Sequence, residues 1–239
     1  MTFFPSLLVI LGIMIHIRPY KIFGLVEASP AERIVQLQLP PRRGEGGLTL
    51  LEACIVIAAT KAVKARRAFE FGTFLGSTTL NLAINIPENG EVFTLDLDEA
   101  SLAELSQHPE DAALTQTHFS ARTLDFMGSR AAHKVRALTG NSITFDFSPW
   151  KDSVDLVFID GGHDLATVKA DTEHAMEIAA KNTPSCILWH DYNNGDYPEL
   201  SIYLEGLSNS TTIFHVEDTM ICLWFNDPTN AIHSCIIGQ

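Results

Sequence analysis

Ala68-Phe69-Glu70-Phe71-Gly72-Thr73-Phe74-Leu75-Gly76-Ser77-Thr78-Thr79-Leu80 is the stretch whose reading decides the fold. A short apolar run ends in an acidic residue, enters a turn punctuated by two glycines, and opens a helix through a Ser/Thr cluster. Open α/β sheets build ligand sites in this way. Glycine lets the backbone approach a ligand, and the helix start offers unpaired N–H groups at the positive end of its dipole. Gly72 and Gly76 stand four apart, so the three-glycine dinucleotide fingerprint is absent. A carboxylate at Glu70, at the mouth of this turn, would repel a pyrophosphate and attract a cationic ligand.

Upstream, residues 24–47 carry Pro30, Pro40, Pro41 and the Gly44–Gly47 cluster and read as linker. From Leu48 onward Leu50, Leu51, Cys54, Ile57 and Ala58 recur at spacings of three and four, which predicts a helix to about Lys64. Downstream of the turn, strands are expected at Glu91–Leu95, Val135–Leu138, Val154–Ile159 and Ser185–Trp189, with helices between them. A helix at Pro198–Leu207 and two last strands, Thr212–Val216 and Met220–Phe225, complete the chain. The last two strands are close enough for a hairpin, which makes the far edge of the sheet antiparallel. The whole is an α/β fold with a doubly wound, mostly parallel sheet and right-handed crossovers. Residues 1–47 read as an N-terminal apolar segment and linker, and residues 48–239 as one domain.

In such sheets ligands bind outside the carboxyl ends of the strands. That rule gathers Glu70, Asp96, Asp160, His163, His190 and Asp191 on one rim. Asp96 closes the second strand about two dozen positions after the glycine turn, where it can accept hydrogen bonds from both hydroxyls of a ribose. Asp98 competes for that role but also reads as a helix N-cap. Asn141 and Ser142, after the third strand, are placed to meet a base edge, and a plain turn needs the same residue types. His163 follows Gly161-Gly162, a turn able to aim its ring into the site, although a surface bond to Asp164 is the bland alternative.

Taken together, Glu70 to Thr79, Asp96, Phe158-Ile159-Asp160-Gly161-Gly162-His163 and Trp189-His190-Asp191-Tyr192 resemble class I S-adenosylmethionine-dependent methyltransferases. The likeness covers about residues 48–225 and is to the small O-methyltransferase-like branch related to the macrolide-sugar and catechol enzymes. It implies a Rossmann-like sheet of seven strands with the last antiparallel. It also implies that Glu70, Gly72, Thr73 and Gly76 line the methionine end of the donor, that Asp96 takes the ribose, and that Asn141 and Ser142 lie near the adenine. Asp160 is counted with the donor site as well. The donor is cationic at its sulfonium and ammonium, so an acidic rim suits it where it would repel a pyrophosphate. Relatives often bind a divalent metal at the positions of Asp160, His190 and Asp191; the histidine departs from their acid-rich pattern. Mg or Mn held there, or a metal-free base at His163 or His190 with an ordinary imidazole pKa near neutrality, would each prepare a hydroxyl for methylation. Asp160, His163 and His190 are therefore the catalytic candidates. The implied partner is a small-molecule hydroxyl substrate, with a homo-oligomer allowed. An oxidoreductase or metal-dependent hydroxylase on the same fold, or a non-catalytic cofactor-binding protein, are the alternatives.

Bulk properties narrow the setting. The 239 residues are 46% hydrophobic and 19% charged, enough for a sizeable core, and the net charge of −13 argues against a nucleic-acid partner. Cys54, Cys186, Cys222 and Cys235 lie far apart in apolar contexts, as free thiols in a reducing compartment such as the cytoplasm would. Phe3–Ile17 is almost wholly apolar but is shorter than the roughly twenty residues that span a bilayer, and its positive charges follow it. Docking on the protein or a partner, contact with a membrane, and a cleaved signal are the readings left open for it.

Overall fold

In a computed structural model of the chain, residues 14–26, 33–39, 47–97, 113, 116–117 and 123–238 are described. The elements run β1 (Met14–Ile17), α1 (Pro19–Phe23), α2 (Leu50–Ala62), β2 (Arg67–Phe71), α3 (Ser77–Asn85), β3 (Glu91–Asp96) and β4 (Val135–Thr139). They continue with β5 (Leu156–Ile159), α4 (Leu165–Ile178), β6 (Ser185–Trp189), α5 (Pro198–Leu207), β7 (Ile213–Val216), β8 (Cys222–Asn226) and α6 (Ala231–Ile237).

One sheet holds every strand, in the order β1-β7-β8-β6-β5-β2-β3-β4. Neighbours pair parallel except at β8, which is antiparallel to both β6 and β7. β5 and β6 are buried at every position and are continuous apolar runs, as strands covered by helices on both faces must be. On one face Phe158 and Leu188 of the sheet pack with Ile22 of α1, Ile55 and Val56 of α2, Leu82 of α3 and Ile232 of α6. On the other, Phe69, Phe71, Val157, Ile187 and Trp189 meet Val168, Ile178 and Leu204 of α4 and α5.

The doubly wound, mostly parallel sheet and the antiparallel final strand agree with expectation, but three points differ. The sheet has eight strands and not seven. The added β1 comes from the end of the apolar stretch 3–17 and pairs parallel with β7, His16 opposite His215 with their Nδ1 atoms 2.9 Å apart. The far edge is consequently parallel, because β8 inserts between β6 and β7 and β1 covers the open side of β7. A last helix, α6, follows β8; Ile232 and Ile236, one turn apart, bury its inner face. The rest of the 3–17 stretch, Asp98 and half of residues 106–133 lie outside the described residues. Among those that are described, no helix is long and apolar enough to cross a membrane. No cysteine is bonded to another: Cys186 and Cys222 are buried, and Cys54 and Cys235 half-buried.

Two local devices set the helices that flank the site. Thr49 and Glu52 form a capping box at the start of α2, the Thr49 hydroxyl accepting from the Glu52 N–H and Glu52 Oε2 accepting from the Thr49 N–H. On α3, Asn81 and Asn85 bind the backbone of Gln36 and Gln38 and hold the extended segment 34–39 along the helix.

Residues 14–26 are integral to the core, since Ile17, Ile22 and Val26 are all buried in it. Ile22→Ala should therefore lower the unfolding free energy by about 2–5 kcal/mol, as fully buried Ile→Ala changes do; denaturant titration checks this, and a loss under about 0.5 kcal/mol would show α1 to be dispensable.

Candidate active site

The turn after β2 is shaped by contacts that only glycine tolerates. Gly72 has φ +88°, and a Cβ there would lie 2.2 Å from the carbonyl oxygen of Asp160, so the turn after β2 and the turn after β5 touch backbone to backbone. Gly76, at φ +82°, is the N-cap of α3 and supplies no side-chain cap, which leaves the first N–H groups of the helix to other partners. Asp96 Oδ2 accepts from the N–H groups of Thr73 at 3.0 Å and Phe74 at 2.9 Å, and its Oδ1 accepts from Leu97 at 2.8 Å. Asp96 thus stands half-buried at the mouth of the turn and fixes its shape.

Glu70 lies elsewhere than the sequence suggests. It is 1% exposed, beneath the turn, where it accepts hydrogen bonds from Thr79 and from Thr94 at 2.6 Å. The Thr73 hydroxyl joins the same chain through Thr94, 2.6 Å away. Burial, with smaller contributions from Asp160 and Asp96, pushes the Glu70 carboxyl up to about 8 against the bonds from Thr79 and Thr94. With its carboxyl pushed up to about 8, Glu70 favours the protonated form near neutrality, and the acidic rim consists of the aspartates.

Those aspartates meet two imidazoles at the carboxyl ends of β5 and β6. His190 is buried, with Nδ1 3.1 Å from Asp160 Oδ1 and 2.9 Å from Asp191 Oδ2. Its Nε2 faces Glu52 Oε1 at 3.6 Å. His163 Nε2 is 2.9 Å from Asp191 Oδ2, and its ring lies flat on Tyr197, centroids 4.0 Å apart and planes 7° from parallel. Asp191 takes a left-handed φ of +62° and is anchored by Asn194 Nδ2 at 2.7 Å. Burial opposes charge on His190, but the nearby carboxylates, Asp160 foremost and then Asp191 and Glu52, outweigh it and raise the imidazole well above its ordinary value. Burial likewise opposes charge on Asp191 and Glu52. Bonds from His163 and His190 nevertheless hold Asp191 below the usual carboxylate range, and His190 with the Met220 and Thr49 N–H groups holds Glu52 at about 2.

The structure thus brings Asp160, His163, His190 and Asp191 together and places Gly72, Thr73, Gly76 and Asp96 in the adjoining turn. Asn141 and Ser142 lie at the same end of the sheet, after β4. Asn141 Oδ1 accepts from the Ile143 N–H at 2.9 Å, closing a turn, while Ser142 bonds Asp171 of α4. Asp164 caps α4, its side chain accepting from the Ala166 and Thr167 N–H groups. Three neighbours are absent from the sequence reading. Glu52 carried one signal, the Thr-x-x-Glu pattern of a capping box; Tyr197 and the buried Asp171 carried none.

Asp160 Oδ1, His190 Nδ1 and Asp191 Oδ2 lie within 4.8 Å of one another. The His190 separations of 3.1 and 2.9 Å match the edge of an octahedron with bonds of about 2.1 Å, roughly 3 Å. Two carboxylates and one imidazole are a donor set that suits Mn better than Mg, which prefers oxygen alone. These residues fit a divalent ion.

Comparison with known proteins agrees with this picture. A family model described as "Methyltransferase domain" matches residues 69–192, more than half of the chain, and the chain belongs to that family. The resemblance of its motifs to class I methyltransferases is thereby borne out. Catechol O-methyltransferase domain-containing protein 1 of Mus musculus is 33% identical over 80 residues, which cover 33% of this chain and 30% of that protein. Among solved structures, the SAH-bound methyltransferase PaMTH1 of Podospora anserina superposes with a TM-score of 0.50 at 14% identity, covering 85% of each chain. A structure assigned as an O-methyltransferase of Klebsiella pneumoniae reaches a TM-score of 0.51 at 15% identity over 87% of this chain and 95% of that one. At these identities the structural likeness is one of fold.

The protonated Glu70 has a measurable consequence. A carboxyl whose folded pKa of about 8 lies above its unfolded value of 4.5 loses the protein stability as pH rises between those two values. The wild-type melting temperature should fall over that range by a component missing from Glu70→Gln, and thermal melts of the two proteins across pH 5–9 check this; parallel curves would show Glu70 to be ionised throughout.

Proposed function

We propose that the protein methylates a hydroxyl of a small molecule with S-adenosylmethionine as donor. The observation that carries this reading is the backbone contact between the glycine turn and the Asp160 turn, which sets a donor cradle directly beside a buried imidazole–carboxylate cluster. When bound, S-adenosylmethionine supplies a methyl group made electrophilic by its sulfonium.

The chain's residues divide the work. The uncapped N–H groups at the start of α3, beside a hollow lined by Thr49, Ser77, Thr78 and Asn81, suit the donor's methionine carboxylate. Gly72, Thr73 and Gly76 shape the loop around it, and Glu70 braces that loop from below. Asp96 is at the mouth, with acceptor capacity beyond its three backbone bonds, to take the ribose hydroxyls. Asn141 and Ser142 would meet the adenine. The aspartates Asp96 and Asp160 make the surroundings favourable for a cationic donor.

The acceptor oxygen must lie in line with the methyl group and lose its proton as it attacks. His163 is the base in this reading, because Asp191 orients its ring, Tyr197 supports it from one face, and Asp191 stabilises the imidazolium formed. His190, already held as a cation between Asp160 and Asp191, is poorly suited to accept a further proton. A second reading is favoured by the octahedral spacing: Asp160, His190 and Asp191 would hold a divalent ion, which would lower the pKa of the acceptor hydroxyl. The alternatives of an oxidoreductase and of a non-catalytic binder have nothing on this site to favour them.

Three measurements test these assignments. Isothermal titration with S-adenosylmethionine should show affinity falling at least about tenfold in Asp96→Ala, each factor of ten being about 1.4 kcal/mol; unchanged affinity removes Asp96 from the ribose. Mass spectrometry of a panel of small hydroxyl compounds incubated with enzyme and donor should reveal gain of one methyl group, with kcat reduced about 10²–10⁴-fold in His163→Ala. Chelation followed by Mn or Mg addition separates the readings: restored turnover supports the bound ion, and indifference to chelator supports the His190 cation.

A further inference from the structure

We propose that Gln38, on the extended segment 34–39 that lies along α3, is the residue that accepts a hydrogen bond from the α-ammonium of the methyl donor. This rests on the S-adenosylmethionine reading above and adds to it the group that recognises the amino end of the donor. The inference starts from a gap that the structure opens. The sequence points to Glu70 as the anion that would meet a cationic ligand, but Glu70 is 1% exposed and engaged by Thr79 and Thr94 beneath the turn. The described residues lining the hollow at the start of α3, where the methionine carboxylate fits, carry no charge. An α-ammonium has three N–H donors and no acceptor, and it shares a carbon with that carboxylate. Its acceptors must therefore come from the walls of the same hollow.

Gln38 forms one of those walls. Its backbone N–H donates to Asn81 Oδ1 at 2.8 Å, which ties the segment to α3. Its side-chain Nε2 donates to Asp125 Oδ2 at 3.2 Å. A carboxylate can only accept, so the amide nitrogen belongs on that side and Oε1 is turned away from it. Asp125 is itself fixed to the glycine turn, its N–H donating to the Leu75 carbonyl at 2.8 Å. Gly76 seats the same stretch, since a Cβ there would lie 2.7 Å from the Phe126 ring. Oε1 of Gln38 is thereby held in place, and it is buried with no hydrogen-bond partner among the described residues.

Leaving a buried amide oxygen unpaired is unfavourable, and such an atom calls for a bound group that supplies the donor. Other oxygens at the hollow are committed. Asn81 Oδ1 accepts from the Gln38 N–H, and the Thr49 hydroxyl is engaged with the Glu52 N–H and carboxylate. The Ser77 and Thr78 hydroxyls lie at the helix start, where they serve the methionine carboxylate as donors. Gln38 Oε1 is left for the ammonium. A neutral amide suits that position, because it accepts from the ammonium without adding a charge that would repel the adjacent carboxylate. The competing explanation, that Gln38 only fastens the segment through Asp125, gives Oε1 no task.

Two ligands separate these explanations in calorimetry on the full chain. S-Adenosylhomocysteine carries both the ammonium and the carboxylate; its deaminated analogue, with hydrogen in place of the ammonium, keeps the carboxylate, the sulfur and the adenosine. The wild type should bind the first at least about tenfold more tightly. Gln38→Leu, similar in size but unable to accept, should shrink that preference to within about twofold by weakening S-adenosylhomocysteine alone. Asn85→Ala, which releases the segment at Gln36 and leaves Gln38 intact, should keep the preference. Equal affinity of the wild type for the two ligands overturns the proposal. So does a preference that survives in Gln38→Leu, which would leave Gln38 the fastening role only; should that variant not fold, Gln38→Ala takes its place. A wild type that binds neither ligand removes the donor reading and the proposal with it, so the two failures are distinguishable.

Discussion

The carbonyl of Asp160 and the α-carbon of Gly72 lie so close that no side chain fits between them. This contact between the turns after β2 and β5 sets the distance from the glycine turn to the imidazole–carboxylate cluster. It is made by backbone on both sides, so rotamer changes cannot loosen it, and adjacent parallel pairing of β2 with β5 keeps it in register. The proposed methyl transfer demands placement to within a fraction of an ångström, which a backbone contact set by the sheet is suited to supply.

Two glutamates show how environment, and not residue type, decides charge in this core. Glu70 and Glu52 are both almost fully buried. Glu70 has only hydroxyl donors and lies near Asp160 and Asp96, so burial prevails and it is neutral near pH 7. Glu52 has two backbone N–H donors and a cationic imidazole facing it, and it remains ionised. Neutral hydroxyl bonds do not compensate a buried charge, while backbone amides and a counter-ion together do. The anionic character of the site therefore comes from Asp96, Asp160, Asp191 and Glu52, set against His163 and His190.

Much of this was legible in the sequence because parallel α/β topology places strand ends on one rim whatever the loops do. Asp160, His163, His190 and Asp191 could be grouped without knowing a single contact. The orientation of Glu70 could not, since β2 is buried through its last four positions and the alternation that would assign a face is missing. Glu52 could be read as a helix start but not as a neighbour of His190, because that pairing depends on where α2 crosses the sheet. β1 was hidden in a longer apolar run, and only the open side of β7 gives Met14–Ile17 an edge to pair with.

That edge strand also bears on how the molecule assembles. β1 is made long before its partner β7, His16 and His215 being 199 positions apart. Until the partner emerges, Ile17 and Ile22 have no completed layer against which to bury. The seam that closes the sheet is thus formed late and across a long loop, a topology associated with slow folding and with exposed apolar surface during synthesis.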